Sequence, residues 1–207
     1  FCMALPATHL RFADAVADRM PVSDWQAYLS GTLYPDSRTV TGIAREKTHD
    51  ARFLNPNFAT DDFARGWHVH CACDKIQADI HTELLDDLER LTPDERWVRV
   101  SAAKVIQDMQ DADQAKLGEY LPRLVPCQAP NHESVADLGA YLGFVKQAYR
   151  TLRAPQWAAY ARLWGHVGLD RDTVSRVKKE VQDMRADAQL VGRLHAVFDG
   201  MVDRYSF

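Results

Sequence analysis

Three observations predict that the 207-residue chain is an all-α, single-domain multi-helix bundle. Gly 10 and Pro 9 together make about 9% of the residues, below the ~12% usual in globular chains, so helix breakers are scarce. Apolar and aromatic side chains recur at helical spacing, most clearly at Phe63, Trp67, Cys71, Ile76, Ile80, Leu84 and Leu88. No alternation persists long enough to place a strand. A hydrophobic content of 46% is ample for a core, and the length favours one domain over residues 1–207.

The elements follow in order. Thr8 ahead of His9-Leu10-Arg11-Phe12-Ala13 predicts an N-capped first helix that runs to about Met20 and stops at Pro21. Ser23-Asp24-Trp25 opens a second short helix through Tyr28-Leu29, closed by Gly31. Residues 31–59, with Pro35, Gly42 and Pro56, read as a long functional loop between the second and third helices, because structureless connections of this length are uncommon in compact domains. Thr60-Asp61-Asp62-Phe63 caps a long helix that ends by Thr92-Pro93, and Pro93-Asp94-Glu95 begins another through about Ala112. Residues 113–132 loosen around Pro122, Pro126 and Pro130. Helical patterning returns from Glu133 to Leu152, from Ala154 to His166, and as one long charged helix from Asp172 to Tyr205.

Composition excludes several classes. Lys+Arg 25 against Asp+Glu 29 leaves a formal charge of −4, which argues against nucleic-acid binding through bulk charge. No apolar run approaches the ~18 residues of a spanning helix. Four cysteines (Cys2, Cys71, Cys73, Cys127) are too few for a disulfide framework, and Cys71 and Cys73 point to different helix faces. Reduced thiols and a cytoplasmic location are the expectation. The opening Phe1-Cys2-Met3-Ala4-Leu5-Pro6 shows no secretory signal; Met3 reads as the initiator, with Phe1 and Cys2 added by expression, unless a leader was removed ahead of them.

The histidines cluster early. On the third helix, His70, Asp74, Gln77 and His81 fall within roughly 60° of one another at about 100° per residue, while His68 lies about 200° from His70. His70 and Asp74 are one turn apart, a spacing at which two side chains can hold one ion or simply bond each other on the surface. His9 stands in the first helix, Asp36 follows Tyr34-Pro35, and His49 lies further along the same loop with Arg38 and Arg45 between them. Imidazole and carboxylate are the usual ligands of zinc, with manganese and iron as alternatives. Asp36 as a turn cap and His9 as a satisfied core histidine are the competing assignments.

The order of His9, Tyr34-Pro35-Asp36, Thr48-His49 and Gly66-Trp67-x-x-His70-x-x-x-Asp74 resembles the zinc-dependent phospholipase C superfamily, which includes single-strand-specific nucleases. The similarity covers residues 8–81. It implies an all-α fold in which up to three zinc ions activate water against a phosphoester. Under it, His9, Asp36, His49, His70, Asp74 and His81 are metal ligands and Asp36 is also the general base or water-orienting carboxylate; apart from the resemblance, the planar forks of Arg38 and Arg45 in the same loop suit a phosphate, with solvated loop charges as the competing assignment. The superfamily's later H-x-x-x-E pair has no clean counterpart; His132 with Glu133 and Asp137, or His166 with Asp170, are weak substitutes. Thr48-His49-Asp50 also resembles the His-Asp doublet of HD phosphohydrolases, although Pro56 soon after it argues against a long helix there.

The remaining features read as structure. Trp67, Trp97, Trp157, Trp164, Tyr141, Phe144, Tyr149 and Tyr160 fit inter-helix packing. Arg99, Lys104, Asp108 and Asp111 read as an exposed face with i,i+4 pairing, with Asp108 as an alternative partner for a histidine. The charges from Arg171 to Glu180 fit a solvated face or an oligomer contact. The function expected is metal-dependent hydrolysis of a small phosphate ester; the competing expectation is a catalytically silent helical module that binds metal or a partner.

Overall fold

The computed structural model describes every residue except 1–4, 152, 154 and 167. The expectations for Phe1, Cys2 and Met3, and for Leu152 and Ala154 as helix limits, fall outside these residues. Among the described residues the protein is all-α, without strands.

Helix α1 (Pro6–Val16) starts before Thr8, with Pro6 in the first turn where a missing N–H costs nothing. Thr8 is therefore inside the helix, and its hydroxyl donates to Asp111 instead of capping. Leu5 at the N-cap has no side-chain acceptor to offer, so the cap comes from a distant helix, as described below. Asp24 caps α2 (Trp25–Leu33), accepting from the Ala27 amide at 3.0 Å. The helix continues through Gly31 rather than ending there.

Residues 34–58 form a chain of short helical turns where an open loop was expected. A 3₁₀ turn Tyr34–Ser37 leads into α3 (Arg38–Thr41), α4 (Glu46–His49) and the 3₁₀ turns Ala51–Leu54 and Pro56–Phe58. Gly42 sits at φ 73°, the left-handed geometry that ends α3 and that glycine adopts freely. Asp50 and Asn55 cap the turns that follow them through their side-chain oxygens.

Asp61 caps α5 (Asp62–Leu84), the long helix that carries His70, Asp74 and His81, half of the predicted ligands. Gly31 and Gly66 explain its crossing with α2. A Cβ at Gly31 would lie 2.1 Å from the Phe63 carbonyl oxygen, and one at Gly66 would lie 2.0 Å from that of Tyr28. Only two glycines allow the backbones to meet so closely. Asp62 fastens the near end of the crossing, accepting from the Ser23 and Asp24 amides and the Ser23 hydroxyl.

A capping box of Thr92 and Glu95 starts α6 (Pro93–Gln114). After α7 (Leu117–Tyr120) come α8 (Val135–Ala148) and α9 (Trp157–His166). The single long helix expected at the C-terminal end is three: α10 (Arg171–Ala186), α11 (Ala188–His195) and α12 (Val197–Arg204). Asp187 makes the break, because its carboxylate accepts from the Gln189 and Leu190 amides and so competes with continued helix.

Leu10, Phe12, Leu29, Val69, Val105 and Leu117 are among the buried side chains of the main core, and Trp67, Tyr141, Tyr149, Tyr160 and Trp164 are buried as packing residues. The indole of Trp67 also donates to the Thr48 carbonyl at 2.7 Å and thereby pins α4 onto α5. One expectation fails on α6: Lys104, Asp108 and Asp111 are buried, not solvated. The helix packs against α1 on one side and α10 on another, which leaves Arg99 as the member of that set at the periphery, paired with Asp87 and Glu180. Among the described residues no helix is long and apolar enough to cross a membrane.

Gly66→Ala should therefore lower stability by about 3 kcal/mol, since a backbone carbonyl cannot move aside as a flexible side chain would. A denaturant midpoint close to that of the unsubstituted protein would contradict the close crossing.

Candidate metal centre

Five of the six ligands suggested by the sequence converge. His9 comes from α1, Asp36 from the 3₁₀ turn after α2, His49 from the end of α4, and His70 and Asp74 from consecutive turns of α5. Each imidazole Nε2 faces both carboxylates. His9 lies 4.0 Å from Asp36 and 3.7 Å from Asp74, His49 lies 3.6 Å from each, and His70 lies 3.8 Å from each. Within the set, His9, Asp36 and His70 form one group able to share an ion, and His49, His70 and Asp74 form another.

Two rings are oriented from behind. His70 Nδ1 lies 2.8 Å from the Thr32 carbonyl, which can only accept, so Nδ1 carries the proton and Nε2 presents its lone pair to the cluster. The Thr48 hydroxyl donates to the Arg45 carbonyl at 3.2 Å and so accepts from His49 Nδ1 at 2.8 Å. That leaves the His49 Nε2 lone pair facing His70 Nε2 across 3.1 Å. Neither ring nitrogen of His9 has a hydrogen-bond partner among the described residues, nor has Asp36 Oδ1. His9 stacks on His70 with centroids 3.9 Å apart. Bare lone pairs gathered around two carboxylates in a buried space are what a divalent cation satisfies, and three imidazoles with two carboxylates suit zinc and its neighbours. The buried His/Asp group can hold a metal ion.

Protonation favours the same use. Burial lowers His70 to about 3 and lowers His9 as well, against the pull of Asp74 and Asp36. Asp36 is held well below the ordinary carboxylate range and Asp74 is lowered too: burial would raise both, but the imidazoles around them prevail. At neutral pH, His9 and His70 are thus neutral and both acids are ionised, the forms that bind metal.

His81 does not join the cluster. Its Nε2 lies 3.0 Å from Gln107 Oε1, in a buried layer that also holds Gln77. It shares an angular face with His70, but eleven residues at ~1.5 Å each separate them by about 16 Å along the axis. His68 turns away to the Phe53 carbonyl. His132 is exposed, and Glu133 is engaged by the Tyr34 hydroxyl and the Asn131 amide, so neither contributes a later ligand pair. The side chain of His166 lies outside the described residues.

Cys71 and Cys73 are buried free thiols, and burial pushes both pKa values up. Arg38 is half-buried within electrostatic reach of Asp36, Arg45 and Asp74. A cavity of about 190 Å³ opens beside the cluster, lined by Arg45, His49, Asp50, Leu54, Cys71, Asp74, Lys75 and Ala78. Asp74, at 10% side-chain exposure, and His49 are the ligands that reach this mouth. A larger cleft of about 760 Å³ between α6 and α10 includes none of the cluster residues.

The sequence reading missed what holds α1 in place. Asp108 Oδ1 accepts from the Ala7 and Thr8 amides at 2.9 and 3.2 Å, capping α1 across a separation of about a hundred residues, while Oδ2 accepts from the Tyr149 and Tyr160 hydroxyls at 2.7 Å each. Burial pushes this carboxyl up to about 7 against those hydrogen bonds. Asp111 adds bonds from Thr8 and Arg11. The only signal was spacing: Lys104, Asp108 and Asp111 lie at i, i+4 and i+7, a pattern that an exposed stripe shows equally well.

Comparison with family models, with curated proteins and with solved structures finds no match to this chain.

Two outcomes follow. Asp108→Ala strands four buried donors and frees the start of α1, so it should cost about 3 kcal/mol or more and weaken metal retention through His9; chemical denaturation with metal titration reads both. For the metal-free protein, His70 has a folded pKa of about 3 against an unfolded ~6.5. Its stabilising contribution is complete above pH ~6.5 and is lost as the pH falls toward about 3, with a slope of up to ~1.4 kcal/mol per unit. His70→Gln should flatten that acid limb; an unchanged limb would show that the ring is not buried neutral.

Proposed function

We propose that this protein is a metal-dependent hydrolase of a small phosphoester, with zinc as its ion. The observation that carries this reading is the face-to-face placement of the His49 and His70 Nε2 lone pairs, 3.1 Å apart between two ionised carboxylates. A divalent ion at such a place supplies Lewis acidity and lowers the pKa of a bound water from 15.7 toward ~7.

The chain's own residues perform the rest. Asp36 is ionised, and its Oδ1 has no hydrogen-bond partner among the described residues, so it can accept a hydrogen bond from an incoming water and orient it. Arg45 and Lys75 line the mouth and attract an anionic substrate. Arg38, near Asp36, offsets charge that builds on phosphate oxygens. The cavity of about 190 Å³ favours a compact ester over an extended polymer. The ligand order resembling the zinc-dependent phospholipase C superfamily supports the same reaction class. A cytoplasmic setting belongs to this proposal, on the strength of the free thiols.

One observation favours the alternative, a metal-holding module without turnover. The imidazoles of His9 and His70 and the carboxylate of Asp36 are almost wholly enclosed, and no later His/Glu pair among the described residues completes a larger cluster.

Metal analysis of protein purified without added metal, followed by a panel of phosphomonoesters and phosphodiesters, separates the two. Bound zinc with turnover of at least one ester is expected, with Asp36→Asn at least about 10²-fold slower. His70→Ala and Asp74→Ala should each lose metal while keeping their helical circular dichroism. Full metal retention in both variants would refute the site, and bound zinc without turnover on any ester would leave the silent module.

A further inference from the structure

We propose that the cleft between α6 and α10 is a second binding site, separate from the metal centre, for an organic anion that joins a planar apolar body to an acidic head group. The cleft holds about 760 Å³ and includes no residue of the His/Asp cluster, so the inference goes beyond the metal reading and does not rest on it.

Spacing along α10 builds one wall. Lys178, Val181, Gln182 and Arg185 stand at i, i+3, i+4 and i+7 and share the helix face that lines the cleft. Ile106 and Met109 add apolar surface from α6. Trp157, half-buried at the start of α9, is held edge-on by Trp164 with ring centroids 5.6 Å apart, which makes it a fixed aromatic surface in the lining. Apolar walls with a few polar groups, around a space of this size, are the usual make-up of a small-molecule site.

Charge decides which kind of molecule fits. A neighbouring cleft of about 680 Å³ shares Trp157 and Lys178 and adds Arg162 and Arg171, with no acid in its lining. Two cations of α10 lie outside both linings, and each is paired: Arg176 with Asp94 and Lys179 with Asp183. The other three, Arg171, Lys178 and Arg185, line the clefts and have no ion-pair partner among the described residues. Asp113, the acid of the larger cleft, already has a partner of its own. In a chain of net charge −4 this is a local excess of positive charge beside apolar walls, and it selects an anion. Gln110 adds a further demand. Its Nε2 donates to the His195 carbonyl at 3.4 Å, while its Oε1 is shielded from solvent without a hydrogen-bond partner among the described residues. An N–H or O–H on the ligand would satisfy that oxygen. The planar body then lies against Trp157, Ile106 and Met109, and the acidic head lies near Lys178, which borders both clefts.

The test uses the full chain and two fluorescent probes, anilinonaphthalene sulfonate and the uncharged phenylnaphthylamine, which share the ring body and the N–H and differ by the sulfonate. The sulfonate should bind saturably at one equivalent, about tenfold more tightly than the amine. Lys178→Gln combined with Arg185→Gln should erase that preference and leave amine binding unchanged. Arg176→Gln combined with Lys179→Gln, the same change in net charge on the same helix, should leave both affinities unchanged. These side chains lie outside the core, so helical circular dichroism should persist in both double variants. Equal affinity of the two probes for the wild type, absence of saturable sulfonate binding, or equal losses in the two double variants would overturn the proposal. Adding zinc should move neither affinity, so this inference and the metal reading fail separately.

Discussion

Two ionised carboxylates lie inside this helical protein, enclosed by imidazoles whose lone pairs point toward one another. Placing such groups out of water is expensive, and the expense is tolerable only where every neighbour is fixed. Much of the surrounding architecture serves that end. The Thr32 carbonyl sets the tautomer of His70, and Thr48 sets that of His49. The Gly31–Gly66 contact lets α2 approach α5 closely enough for the first of these bonds to form. A bundle with an ordinary helix separation of ~8–10 Å would leave the Thr32 carbonyl out of reach.

A second buried polar layer lies on α6. Asp108 gathers two helix-start amides and two tyrosine hydroxyls, and Asp111 takes Thr8 and Arg11. These bonds place α1, and α1 places His9. The layer therefore reaches the site through the helix it holds. Networks of this kind specify one arrangement of a core when all their members are satisfied. Lys104 belongs to the same buried helix face, and its Nζ has no hydrogen-bond partner among the described residues.

Much of the site was legible in the sequence because neighbouring turns of a helix report on one another directly. His70 and Asp74 shared a face by spacing alone, and the order of His9, Asp36 and His49 gave the resemblance its content. His81 failed for a reason available in the same numbers: angular agreement says nothing about distance along the axis. Residues 31–59 read as loop in the sequence because turns of three or four residues leave no periodicity to detect. Lys104, Asp108 and Asp111 read as an exposed face because a polar stripe at helical spacing has the same pattern whether it faces water or a second helix.

The sequence by itself determined the all-α class, the starts of α2, α5, α6 and α10 and the donor types available to a cation. Those properties depend on local propensity, capping and period, which residues a few positions apart establish between themselves. Only the tertiary structure decided which donors meet, which way each imidazole presents its lone pair, and that a distant aspartate caps the first helix. These depend on how closely helices cross and which faces they bury, and contacts across a hundred residues leave no local trace in the chain.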